Sequence, residues 1–139
     1  MPTTSKVTYL GALRTECLHV KSGNTFITDA PIDNNGKGEA FSPTDTVATA
    51  MASCMLTVMG IKARDMEVDL KGAVATIEKE MAAAPRRIAA VRVEVVIPAS
   101  PSEKDRKILE QTGKTCPVLL SLHPEIEKDI RFVWGQTPQ

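Results

Sequence analysis

Polar and apolar residues alternate along the first third of the chain, with a period near two. Lys6 to Leu13 carries Val7, Tyr9 and Leu10. In Arg14 to Val20, Leu18 and Val20 fall on one side and Cys17 and His19 on the other. Ser22-Gly23-Asn24 breaks the pattern as a turn would, and Thr25 to Thr28 resumes it. This predicts an antiparallel meander. Asp33 to Gly38 is polar with two glycines and reads as a flexible connection. It is not a phosphate loop, because Gly36-Lys37 is followed by Gly38 rather than Ser or Thr.

The pattern then changes. Ser42-Pro43-Thr44-Asp45 fits a helix start, with Ser42 as N-cap, Pro43 at the first helical position and Asp45 at the third. The predicted helix runs to about Gly60. Val47, Ala48, Ala50, Met51, Ala52, Cys54, Met55, Leu56, Val58 and Met59 put apolar side chains on nearly every face. Such a helix is expected to be buried all round, by a second helix, a partner subunit or both.

Alternation returns over 67–80 and 87–97, predicting a long hairpin. Val91, Val93, Val95 and Ile97 form one side, with Arg92 and Glu94 on the other. Ser102-Glu103-Lys104-Asp105 is a second helix start. Ile108, Leu109, Thr112 and Cys116 follow at helical spacing. Pro117 either ends that helix or begins a short one over 118–122. Ile130, Phe132 and Trp134 alternate in a final strand. The order of strands, helix, hairpin, helix and strand predicts an α+β fold with mostly antiparallel pairing.

Composition narrows the function classes. A length of 139 residues suits one domain spanning 1–139. Seventeen basic and seventeen acidic residues leave no net charge, and no basic stripe stands out, so nucleic acid is not the expected partner. No unbroken apolar run reaches 18 residues, so no membrane span is expected. Met1 to Lys6 lacks the design of a secretory signal, and three cysteines do not make a disulfide framework. A cytoplasmic protein with reduced thiols is the expectation.

The chemistry-bearing candidates are Cys17, Cys54, Cys116, His19, His123, Arg14 and Asp45. No zinc spacing links the cysteines and histidines, and no nucleophile-elbow motif is present. No metal or bound cofactor is expected. Cys54 lies inside the apolar helix, where a core role and a redox role both fit. A reactive thiol there needs a cation, since the thiolate is the nucleophile, and Arg14 is one candidate. Cys116 precedes Pro117, so it can serve a core face or cap a new helix. Cys17 and His123 read as an ordinary strand residue and a helix-end residue. Asp45, nine residues before Cys54, falls on the opposite side of a regular helix.

Two segments together are distinctive. Gly38 to Cys54 and Thr115 to Leu122 resemble the two cysteine motifs of the OsmC/Ohr family: a proline-started, alanine-rich helix ending in Cys, then Cys-Pro-Val about 60 residues later. The order of elements matches along essentially the whole chain. The resemblance implies a homodimer in which sheets from both subunits wrap two central helices. It implies a thiol peroxidase for organic hydroperoxides, with Cys54 attacking the peroxide and Cys116 resolving the sulfenic acid as a disulfide. An external dithiol then restores the thiols, with no cofactor. It also implies that an arginine of an N-terminal strand, here Arg14, polarises the thiolate. The Ohr pattern has a glutamate directly after the helix-starting proline. Here Thr44 occupies that place and Asp45 follows, as in OsmC-like relatives, so Asp45 is the acid expected to orient Arg14. The competing reading is a non-catalytic dimer of the same fold that binds a small apolar ligand or a partner. A third is a structural dimer with two inert core thiols.

Overall fold

The computed structural model describes residues 1–139. They group into two compact units, Met1–Val47 and Ala48–Gln139.

The first unit is a three-stranded antiparallel meander of β1 (Ser5–Gly11), β2 (Arg14–His19) and β3 (Thr25–Asp29), as the alternation predicts. After β3 a single 3-10 turn, Ile32–Asn34, leads into a tightly folded loop. A Cβ on Gly36 would overlap the Ala30 carbonyl, and Gly38 holds a φ of +62°, so both glycines are required for this path.

Helix α1 (Pro43–Asp65) starts at the predicted cap. The Ser42 hydroxyl accepts the Asp45 N–H at 3.0 Å, and the Asp45 carboxylate accepts the Ser42 N–H at 2.9 Å. Two orphan amides are thereby satisfied reciprocally. The helix continues past Gly60, because a lone glycine with open space beside it costs only about 1 kcal/mol. Lys62 and Arg64 in its last turn suit the negative end of the helix dipole.

In the second unit, one face of α1 is buried: Ala48, Met51, Ala52, Met55, Met59 and Ala63. They join Val91, Val93, Val95, Ile97, Leu109 and Cys116 in one apolar core. The expectation of all-round burial is therefore met on one face only within this chain. Val47 and Ile61 are exposed. By length and composition alone α1 is apolar enough to cross a membrane, which the count of unbroken apolar residues did not register. Its buried methionines place it instead as the core helix of this unit.

The hairpin consists of β4 (Val74–Ala82) and β5 (Arg87–Ile97). It is shorter than predicted, since Val68 and Leu70 precede β4 and pack against the core from a loop. Helix α2 (Glu103–Gly113) begins at Ser102, whose hydroxyl accepts the Asp105 N–H. It approaches α1 closely at Gly113, where a Cβ would stand 2.8 Å from the Met59 sulfur. Helix α3 (Pro117–Ser121) follows, and β6 (Glu127–Trp134) completes the sheet. β6 pairs with β5 in parallel, unlike every other strand pair. Parallel neighbours need a crossover, and α2 with α3 provides it.

Candidate active site

Cys54 lies in the middle of α1 and Cys116 at the start of α3, 62 positions apart in sequence, and the crossover brings their side chains together. Cys116 is fully buried. It is the N-cap of α3, with φ −68° and ψ 149°, and its Sγ accepts the Leu119 N–H at 3.4 Å. It is therefore outside α2, although it shares the helical spacing of Ile108, Leu109 and Thr112. Its S–H is directed to the Met51 carbonyl at 3.9 Å, on the turn of α1 just before Cys54.

Burial pushes the Cys116 thiol above its ordinary pKa. The amides of Leu119 and Val118 oppose that, while the adjoining Cys54 thiol adds to it through a side-chain hydrogen bond and through charge. Cys116 is thus held as a neutral thiol against its neighbour. Cys54 is only half-buried, and all three cysteines are free. In α1 its neighbours one turn away, Ala50, Met51, Thr57 and Val58, carry no charge.

Arg14 occupies the first unit. Its Nε and Nη2 donate to the two carboxylate oxygens of Asp29 at 2.7 and 2.8 Å. Glu39 stands 3.6 Å from Nη2. Arg14 and Asp29 are direct cross-strand partners in the β2–β3 register. Asp29 is 1% exposed, and its Oδ2 also accepts the Glu39 N–H at 3.1 Å. The guanidinium holds the Asp29 carboxyl below its usual range, and Asp29 in turn raises Arg14. Asp29 was not among the candidates read from sequence. The hairpin itself carried the signal, because a turn at Ser22–Asn24 folds Arg14 back upon Asp29.

Asp45 engages the Ser42 amide and so sets the start of the helix carrying Cys54. Cys17 faces Val7 and Phe26 across the meander, as an ordinary strand residue does. His19 bonds the Ser22 hydroxyl, and His123 accepts the Glu125 N–H beside α3. No three His, Cys, Asp or Glu side chains converge as metal ligands would.

A family model described as OsmC-like protein matches residues 36–131, which include both cysteines and the whole crossover. The chain belongs to the OsmC-like family. It is 53% identical to a candidate osmotic stress induced and detoxification response protein from Psychrobacter arcticus 273-4, over 95% of this chain and 96% of that one, with a TM-score of 0.92. Two more distant structures share the fold. An organic hydroperoxide resistance protein OsmC from Legionella pneumophila is 16% identical, with a TM-score of 0.75 over 96% of this chain and 97% of that one. An organic hydroperoxide resistance protein from Elizabethkingia anophelis is 14% identical, with a TM-score of 0.73 over the same shares. No curated protein sequence matches the chain. The α+β architecture of this OsmC-like chain, rich in antiparallel pairs, is that of these neighbours.

Proposed function

We propose that this OsmC-like protein is a thiol-dependent peroxidase that reduces organic hydroperoxides. One observation carries the reading: two thiols near enough that one raises the other's pKa, one half-buried and one fully buried, with the Cys116 sulfur 3.9 Å from the Met51 carbonyl on the turn of α1 before Cys54. The names of the Legionella and Elizabethkingia relatives agree with it.

The Cys54 thiolate attacks the terminal peroxide oxygen and the O–O bond breaks. The alkoxide takes a proton and leaves as an alcohol, and Cys54 becomes a sulfenic acid. The Cys116 sulfur then attacks the Cys54 sulfur. Hydroxide leaves, is protonated by the Cys116 proton to give water, and a disulfide forms. An external dithiol returns both sulfurs to thiols and is itself oxidised. Sulfur carries the electrons throughout. The unequal burial suits these assignments, because the half-buried thiol can meet the substrate and the fully buried one stays within the core. An apolar helix surface around Cys54 favours alkyl or lipid hydroperoxides over hydrogen peroxide.

By the family correspondence, Arg14 supplies the cation that holds Cys54 ionised. Asp29 takes the pairing role that the Ohr pattern gives to a glutamate after the proline, and Asp45 acts by starting α1. The same correspondence gives a homodimer as the working form, in a reducing compartment.

The test is direct. Reduced protein mixed with one equivalent of cumene hydroperoxide should lose the Cys54 and Cys116 thiols within minutes and keep Cys17, as counted by mass spectrometry. Persistence of all three thiols would end the proposal. The second reading, a non-catalytic binder, draws on the uncharged neighbours of Cys54 along α1. It requires that Cys54→Ser keep peroxide resistance in cells, whereas the peroxidase reading requires that resistance be lost.

A further inference from the structure

The loop between β3 and α1 reads from its sequence as a flexible connection, yet the structure ties it back upon one carboxylate. Asp29 ends β3 and is 1% exposed. Its main-chain N–H donates to the Phe41 carbonyl at 3.0 Å, and its Oδ2 accepts the Glu39 N–H at 3.1 Å. Between those two ties the chain folds tightly on itself. The Gly36 N–H donates to the Pro31 carbonyl at 2.9 Å, and the Gly38 N–H to the Ala30 carbonyl at 3.2 Å. The Ala30 N–H donates to the carbonyl of Leu13, the residue before Arg14, at 3.0 Å. A Cβ at Gly36 would overlap the Ala30 carbonyl, so the chain doubles back only with glycine there. Lys37 adds a positive charge in the field of Asp29.

An arginine side chain is long and rotates about several bonds, so a carboxylate aims its guanidinium only if the carboxylate is itself fixed. Asp29 takes Nε and Nη2 as a two-pronged fork, which sets the plane of the guanidinium and leaves Nη1 to face another anion. The Glu39 amide on Oδ2 fixes the rotation of that fork. All of these groups lie within Met1–Val47, and Asp29 is already enclosed there, so the hold requires no second copy of the chain.

Resting on the reading in which Arg14 holds Cys54 ionised, we propose that the loop over residues 30–39 is the positioning element for that arginine. Gly36 lets the chain double back, the Glu39 amide fixes the Asp29 carboxylate, and Asp29 fixes the direction of Arg14. Gly36 and Glu39 touch no reacting atom and act through Asp29. Glu39 acts chiefly through its main chain, since its own carboxylate is 66% exposed and stands 3.6 Å from Nη2. A loop without this fold leaves Arg14 charged but unaimed, and the thiolate loses part of its stabilisation.

Two readouts test this, one of them independent of the peroxidase reading. The first is the Arg14 Nε–H signal in nitrogen–proton NMR. It should persist at neutral pH in the native protein and be lost by exchange in Gly36→Ala. The second is the pH midpoint for alkylation of Cys54 by iodoacetamide, measured without peroxide and in Cys116→Ser protein so that one thiol of the pair titrates. No charge lies within a turn of Cys54 along α1, so the midpoint reports the cation brought to it. Arg14→Met should raise it by about one pH unit, and Gly36→Ala should move it most of the way to that value. Gly72→Ala is the control, because Gly72 holds a φ of +91° in the second unit and its replacement strains the backbone away from the loop. It should leave both readouts as they are. If Gly36→Ala fails to fold, Gly38→Ala strains the same loop more gently and should shift both in the same direction. Retention of the Arg14 signal in the loop variants overturns the proposal. So does an unmoved midpoint where Arg14→Met moves it. A midpoint that Arg14→Met itself leaves in place is a different result, which removes the assigned role of Arg14 and this proposal with it.

Discussion

The two units of this chain are held together by opposite means. In Ala48–Gln139 the buried residues are apolar without exception, from Met51 and Met55 to Val95, Ile97 and Leu109. In Met1–Val47 the buried residues are Thr28, Asp29 and Ser42, all polar. Val7, Tyr9, Leu10, Phe26 and Phe41 are meanwhile exposed there. The first unit thus specifies its shape through paired polar groups: Arg14 with Asp29, the hydroxyls of Thr15 and Thr28 at 2.5 Å, and the Ser42–Asp45 cap. It keeps its large side chains uncovered in the single chain. Hydrophobic burial is the dominant favourable term in folding, so a unit without it leans on interactions of smaller net value. This agrees with the proposed homodimer, in which a second copy supplies the cover.

The contrast can be broken most severely at the chemistry. Cys54→Ser in the second unit should abolish hydroperoxide consumption with little change in folding, as read by peroxide assay beside a thermal melt. Next comes the apolar core. Met55→Ala should destabilise the protein by about 2–5 kcal/mol, measured by urea unfolding, because it leaves a cavity among packed neighbours. A change below about 1 kcal/mol would show that this core is looser than the burial implies.

The polar unit should fail differently. Asp29→Asn should remove amide protection from β2 and β3 in hydrogen exchange while α1 and β5 keep theirs. Uniform loss across the chain would erase the distinction between the units. The same pair fixes a pH dependence. The folded Asp29 carboxyl titrates below its unfolded value of about 4, so unfolding takes up a proton in between. Its stabilisation is complete above the unfolded value and disappears as pH falls through the lowered folded one. Protection of β2 and β3 should hold at pH 5 and collapse only in stronger acid. The smallest effect is at the cap. Ser42→Ala should cost about 1 kcal/mol, with fraying confined to the first turn of α1.

What the sequence disclosed follows the same division. Local signals were legible because their physics is local. The Ser42–Asp45 box, the Ser102 cap and the alternation of Val91, Val93, Val95 and Ile97 each depend on neighbours within a few residues. The pattern predicts the end of α1 near Gly60 and the helix runs on to Asp65, since a glycine weakens a helix without stopping one whose far face is already packed. The alternation predicts a strand from residue 67 and β4 begins only at Val74, because Val68 and Leu70 are apolar for core contact rather than for a strand. The parallel direction of β6 is a property of the α2–α3 crossover and appears in no short window. At the candidate site, the motif spacing pointed to Cys54 and Cys116. Their unequal burial, and the Asp29 partner of Arg14, required the assembled chain.

Pro117 gives this arrangement a durable basis. A residue before proline is driven from helical to extended backbone, and Cys116 adopts just such a conformation. The main chain therefore fixes the direction of the Cys116 Cα–Cβ bond, from which the sulfur reaches the Met51 carbonyl and the Leu119 amide. Any descendant sequence that retains the Cys-Pro dipeptide inherits the placement, however freely the rest of α2 and α3 drifts. Replacing that ring with an open-chain residue would let two short helices fuse and carry the thiol away from its counterpart.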